Sequence, residues 1–192
     1  GSGLMARSDT YSMATRRKVL IIKLGYGETL DPDSSGVVSF GDIVRTTVLL
    51  HAFPSAQWHV TWLVDPDGLP LLEGISQIDC LVAAVREIPT DLRNNEFDVV
   101  VNLEKDATIC AQAASMNVGR KYGFRFDEAV GKIACHEHGD DAVAMCVDPE
   151  FKRQQTRSWS EQLFRVVGQN YAGEPYLFRE ASRTPARHDV GL

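Results

Sequence analysis

KVLIIKLGYGETLDPDSSGVVSFGDIVRTTVLLHAF, residues 18–53, decides how the rest of the chain is read. Its first seven residues, KVLIIKL, are a short apolar run rich in β-branched side chains, the pattern of a strand buried on both faces of a parallel sheet. Its last part, from Asp42 to Phe53, places Ile43, Val44, Thr47, Val48, Leu50 and Ala52 near helical spacing, and Pro54 stops the run. Between them lies a junction far longer than the two to six residues that usually join a first strand to a first helix.

Outward from this unit, strands and helices alternate. WHVTWLV (58–64) is a second strand, DPDGLPLLEG a turn leading to a short helix that ends at Gly74, and QIDCLVAAV (77–85) a third strand. TDLRNN is a short helical link, FDVVVNL (97–103) a fourth strand of the buried type, residues 105–116 a helix, and VGRKYGF (118–124) a fifth strand. This succession predicts βα units in an open parallel sheet, an α/β, Rossmann-like fold with flanking helices. After Phe124 the pattern loosens into two short strand-like pieces around a polar turn. SWSEQLFRVVG (158–168) then restores an amphipathic helix, with Gly168 as its C′ stop.

The 192 residues, 44% hydrophobic and 24% charged, suit one sizeable domain. A formal charge of -6 leaves no basic excess for the counterion release that drives nucleic-acid binding, so nucleic acid is not an expected partner. Residues 1–17 are small and polar and read as a leader, its opening GSG a tag remnant; residues 18–178 form the domain. No apolar run reaches the roughly 18 residues of a spanning helix, and a cytoplasmic location is the expectation. Cys80, Cys110, Cys135 and Cys146 form no CxxC pair and read as buried free thiols.

Gly25 and Gly27 form a GxG, but Leu30 stands where the dinucleotide fingerprint needs its third glycine, and no P-loop motif occurs. The stronger element is SFGD (39–42). Gly41 lets a ligand approach the backbone, and a helix N-terminus favours the charged form of the carboxylate on Asp42. At the carboxyl edge of the first strand that carboxylate could take a proton from a substrate hydroxyl. The competing reading is a capping box, Ser39 to Asp42, worth about 1 kcal/mol. CHEH (135–138) reads as a solvated turn rather than a metal site, because no second ligand pair follows at zinc-like spacing. Arg120, Lys121 and Arg125 either face solvent or meet an anionic acceptor, whereas Lys152, Arg153, Arg157 and Arg165 read as a solvated face.

Taken together, KVLIIKLG, GDIVRTTVLLHAFP, WHVTWLVDPDGLPLLEGISQIDCLV and FDVVVNLEK resemble the N-terminal domain of the heptosyltransferase-like glycosyltransferases, glycosyltransferase family 9. The resemblance runs from about residue 18 to Gly168. It implies a GT-B architecture of two Rossmann-like domains, this chain being the acceptor-side half and residues 179–192 the linker and start of a donor domain. It further implies an inverting transfer from a nucleotide-sugar donor, bound mainly by the second domain, to a glycan or glycolipid acceptor, with peripheral membrane association.

The family's general base falls on Asp42, and no metal or other cofactor is implied. Lys23, Gly41, Arg45, Glu104, Lys105, Arg120 and Arg125 become the acceptor-binding candidates, and Gly27, Asp31, Ser34 and Gly36 lie in a long loop expected to act as a flap over the acceptor. The sequence departs from the family at that loop and at NLEK, where a D-x-Q-G-like sequence is usual. The rival readings are a non-catalytic α/β binding or assembly module, and a flavodoxin-like or nucleotide-binding protein complete at this length.

Overall fold

The computed structural model describes residues 15–26, 37–136 and 158–178. Strand β1 (Arg17–Ile22) lies at the centre of a six-stranded sheet with β2 (Trp58–Val64), β3 (Cys80–Ala83), β4 (Val99–Asn102), β5 (Arg120–Asp127) and β6 (Lys132–Cys135). The order is β3-β2-β1-β4-β5-β6. All pairs are parallel except β5 with β6, an antiparallel hairpin in the stretch where the sequence pattern loosens. The order 3-2-1-4-5 is that of a Rossmann-type sheet, whose strand order reverses between β1 and β4.

Alternation along β1 sends Val19 and Ile21 to one face and Leu20 and Ile22 to the other, all four fully buried. On the first face they meet α1 (Phe40–Thr46), the 3-10 turn Thr47–Ala52, α2 (Leu69–Leu72) and α5 (Trp159–Val166); on the second, α3 (Thr90–Arg93) and α4 (Ala107–Ser115). Cover on both faces explains the uninterrupted apolar runs of β1 and β4.

Three local expectations are corrected. The helix expected from Asp42 to Phe53 breaks after Thr46, where the Thr46 and Thr47 hydroxyls donate to the carbonyls of Asp42 (2.7 Å) and Val44 (2.6 Å) and the chain tightens into 3-10 geometry. The third strand shrinks to four half-exposed residues because β3 is the sheet edge. Cys80, on that edge, is exposed, while Cys110 and Cys135 are buried; Cys146 lies outside the described residues. Among those residues no helix is long and apolar enough to cross a membrane.

Candidate functional site at the carboxyl edge of the sheet

The carboxyl ends of β1 and β4 part at the point of order reversal, where open α/β sheets bind ligands. At the end of β1 the backbone turns through Gly25, φ +103°, a conformation L side chains rarely adopt. A Cβ there would come within 2.6 Å of the Ile43 side chain, so the missing side chain is what seats α1 against the strand end. Gly25 O accepts from Ser39 N at 2.6 Å, and Tyr26 and Val38 pair across the neck of the long loop. Gly27, Asp31, Ser34 and Gly36 lie outside the described residues.

Ser39 is the N-cap of α1, its hydroxyl accepting from Asp42 N at 3.4 Å. The Asp42 carboxylate does not complete a reciprocal capping box, because Ser39 N is already bonded to Gly25 O. It pairs instead with Arg45 one turn on, its side chain 20% exposed and that of Arg45 49% exposed. Asp42 is therefore a reachable carboxylate at the edge, next to the exposed Gly41.

At the end of β4, Asn102 is buried and its amide is fully used: Nδ2 donates to Glu104 O (3.1 Å) and Phe124 O (2.9 Å), while Oδ1 accepts from Glu104 N (3.0 Å). Gly123, φ +90°, lets β5 come close, since a Cβ there would stand 1.9 Å from Asn102 O. This brace turns Glu104 back under the turn that follows β1. Glu104 is 3% exposed, and its Oε1 accepts from Gly25 N at 2.7 Å. Burial pushes its carboxyl pKa up, while the Lys23 charge and the backbone N–H groups of Gly25, Leu24 and Tyr26 pull the other way. Lys23 is itself 6% exposed. Lys23 and Glu104 thus form a buried pair, where the sequence reads both as acceptor contacts.

Tyr26 ties three loops together. Its hydroxyl donates to Asp65 Oδ2 (2.8 Å) and accepts from Arg86 N (2.8 Å), and the Arg86 guanidinium lies 5.1 Å from the ring centroid. Burial first, then the Asp65 bond, push the Tyr26 hydroxyl above its usual pKa, which keeps it a donor. Arg86 has φ +52°, unusual for a residue with a side chain, and sits 4.0 Å from Asp106, the N-cap of α4. Sequence reasoning passes over Tyr26, Asp65 and Arg86. The turn signal in DPDGLPLLEG could have found Asp65, which caps Pro66–Gly68, but nothing local to Arg86 announces its backbone.

The other candidates divide. Lys105 follows Glu104 at this edge, its ammonium 5.8 Å from the Phe124 ring centroid. Arg125 lies beyond the β4 pairing, donating to Cys135 O at 3.3 Å and 3.9 Å from Asp127. Arg120 is a correction: it opens β5 opposite Val99, at the amino edge, and parallel strands carry that end away from Asp42. There it lines a cavity of about 440 Å³ with Arg17, Trp58, Asp98 and Tyr122. Of CHEH, Cys135 ends β6 and His136 follows; Glu137 and His138 lie outside the described residues. Among the described residues no three His, Cys, Asp or Glu side chains cluster as metal ligands do.

No family model matches the chain, and no curated protein matches it. Among solved structures it is similar to a glycosyl transferase of family 9 from Veillonella parvula DSM 2008, at 15% identity over 75% of this chain and 42% of that one, TM-score 0.43. It is also similar to the E. coli heptosyltransferase WaaC with ADP, at 12% identity over 83% of this chain and 50% of that one, TM-score 0.45. The chain spans half or less of the length of either.

Proposed function

We propose that this chain is the acceptor-side half of a heptosyltransferase-like, inverting glycosyltransferase of the cytoplasm, acting in cell-surface glycan synthesis. The observation that carries the proposal is the Asp42 carboxylate, partly exposed at the start of α1 on the carboxyl edge of the sheet. The motif resemblance around Gly41 and Asp42 supports it. In the reaction, Asp42 takes the proton of an acceptor hydroxyl as that oxygen bonds to the anomeric carbon of a nucleotide-diphosphate sugar. The opposite carbon–oxygen bond breaks, and the nucleoside diphosphate leaves with the bonding electrons and no metal ion. A positioned base of this kind contributes about 10²–10⁴-fold. Arg45, paired with Asp42, holds the carboxylate in place, and Lys105 and Arg125 supply positive charge toward a glycan or glycolipid acceptor.

Asp42→Asn in the full-length protein, assayed against a panel of nucleotide-diphosphate sugars, should lower kcat by at least about 10²-fold with an unchanged circular dichroism spectrum. Retained turnover would remove Asp42 from the chemistry. A non-catalytic module is the second reading, favoured by the burial of Lys23 and Glu104 at this edge, where an acceptor would need them reachable. Nucleotide-sugar titrations separate the two: binding by the full-length protein supports the transferase, and no binding by either it or this chain supports the module.

A further inference from the structure

The turn after β1 presents an array of donors of the kind that binds anions. The Gly25 N–H donates to a carboxyl oxygen at 2.7 Å, the neighbouring N–H groups of Leu24 and Tyr26 also favour negative charge there, Gly25 adopts the positive φ such turns need, and the buried Lys23 adds its charge. In sheets of this order the first strand's turn is where a ligand phosphate is received. Here the position facing the Gly25 N–H holds the side chain of Glu104, delivered from the end of β4 by the Asn102 brace. A carboxyl oxygen accepts these bonds in either protonation state, so the arrangement does not hinge on the charge of Glu104.

We propose that Glu104 is a built-in occupant of an anion cradle at the β1 turn, closing that cradle to the phosphates of any nucleotide and fixing the turn on which α1 rests. The second part follows from an unbroken series of bonds. Glu104 Oε1 accepts from Gly25 N (2.7 Å), Gly25 O accepts from Ser39 N (2.6 Å), and Ser39 Oγ accepts from Asp42 N (3.4 Å). Glu104 is thus a positioning residue for α1 whatever chemistry Asp42 performs, and the inference stands apart from sugar transfer. Emptying the cradle leaves the buried Lys23 ammonium and the Gly25 N–H unanswered, a site that a small anion such as formate or phosphate fits.

The test is chemical rescue in Glu104→Ala. Its Tm should fall, and sodium formate at about 100 mM should restore several degrees of the loss, while the same ionic strength of a bulky-anion salt does not and the wild-type Tm does not respond. A loss of stability through packing alone gives no formate-specific recovery, and that result in a folded variant overturns the proposal. Should Glu104→Ala fail to fold, two measurements still decide. In Glu104→Gln the Gly25 amide proton should shift as its acceptor changes, and inorganic pyrophosphate added to wild type should leave that resonance still. An unmoved Gly25 signal in the Gln variant, or a pyrophosphate-dependent shift of it in wild type, refutes the occupant role.

Discussion

A single buried amide shows how far side chains in this protein depart from what their type suggests. Gln162 is 1% exposed on α5, and among the described residues neither its Nε2 nor its Oε1 has a hydrogen-bond partner. The helix pattern of residues 158–168 gives Trp159, Leu163, Phe164, Val166 and Val167 as its apolar side; the last four are buried and Trp159 is half-buried. The same pattern leaves Gln162 for solvent, because periodicity reports the average width of an apolar stripe and not how deeply a helix sinks between its neighbours. An unmade amide pair costs free energy that an apolar side chain of the same length avoids. Gln162→Met keeps the unbranched shape and should stabilise the fold by about 1–2 kcal/mol in urea unfolding. A destabilised variant would show that the amide is answered in solution.

Between elements, the decisive contacts are those that join loops at the carboxyl edge, and these were the least legible part of the chain. Buried strands announce themselves through β-branched runs, and β1, β2 and β4 fall where KVLIIKL, WHVTWLV and FDVVVNL place them. Asp42 was legible because a capping residue and a glycine flank it. Glu104 was not, since nothing in NLEK reveals that Asn102 and the Gly123 kink fold the next carboxylate inward. Tyr26 was equally hidden, because its partners Asp65 and Arg86 lie 39 and 60 positions away. Tyr26→Phe removes one hydroxyl and leaves both partners without it, so a loss of about 1–3 kcal/mol is expected in urea unfolding. Hydrogen exchange at the Arg86 amide should lose protection at the same time. Unchanged exchange there would mean that Arg86 keeps its positive φ without the hydroxyl, and the proposed link between the loops after β1, β2 and β3 would fall.

For the molecule as a whole, the buried Glu104 carboxyl at the carboxyl edge of the sheet ties stability to pH with a definite sign. Burial is the largest influence on Glu104 and raises its pKa above the ordinary glutamate value, with Lys23 and the backbone N–H groups opposing only in part. The folded chain therefore binds this proton more tightly than the unfolded chain does. Its contribution is complete below the ordinary glutamate range and is lost as pH rises through the raised value, with a slope of at most about 1.4 kcal/mol per pH unit for one proton. The other titrating groups are the same in wild type and in a variant at this position, so the informative quantity is a difference. Glu104→Gln carries no titrating proton, and wild type should lose ground to it steadily as pH rises above about 4.5. Unfolding free energies of both proteins measured from pH 4 to 8 supply that difference curve. A flat curve, or one rising with pH, would mean that the Lys23 charge outweighs burial and that the pair is held together as ions.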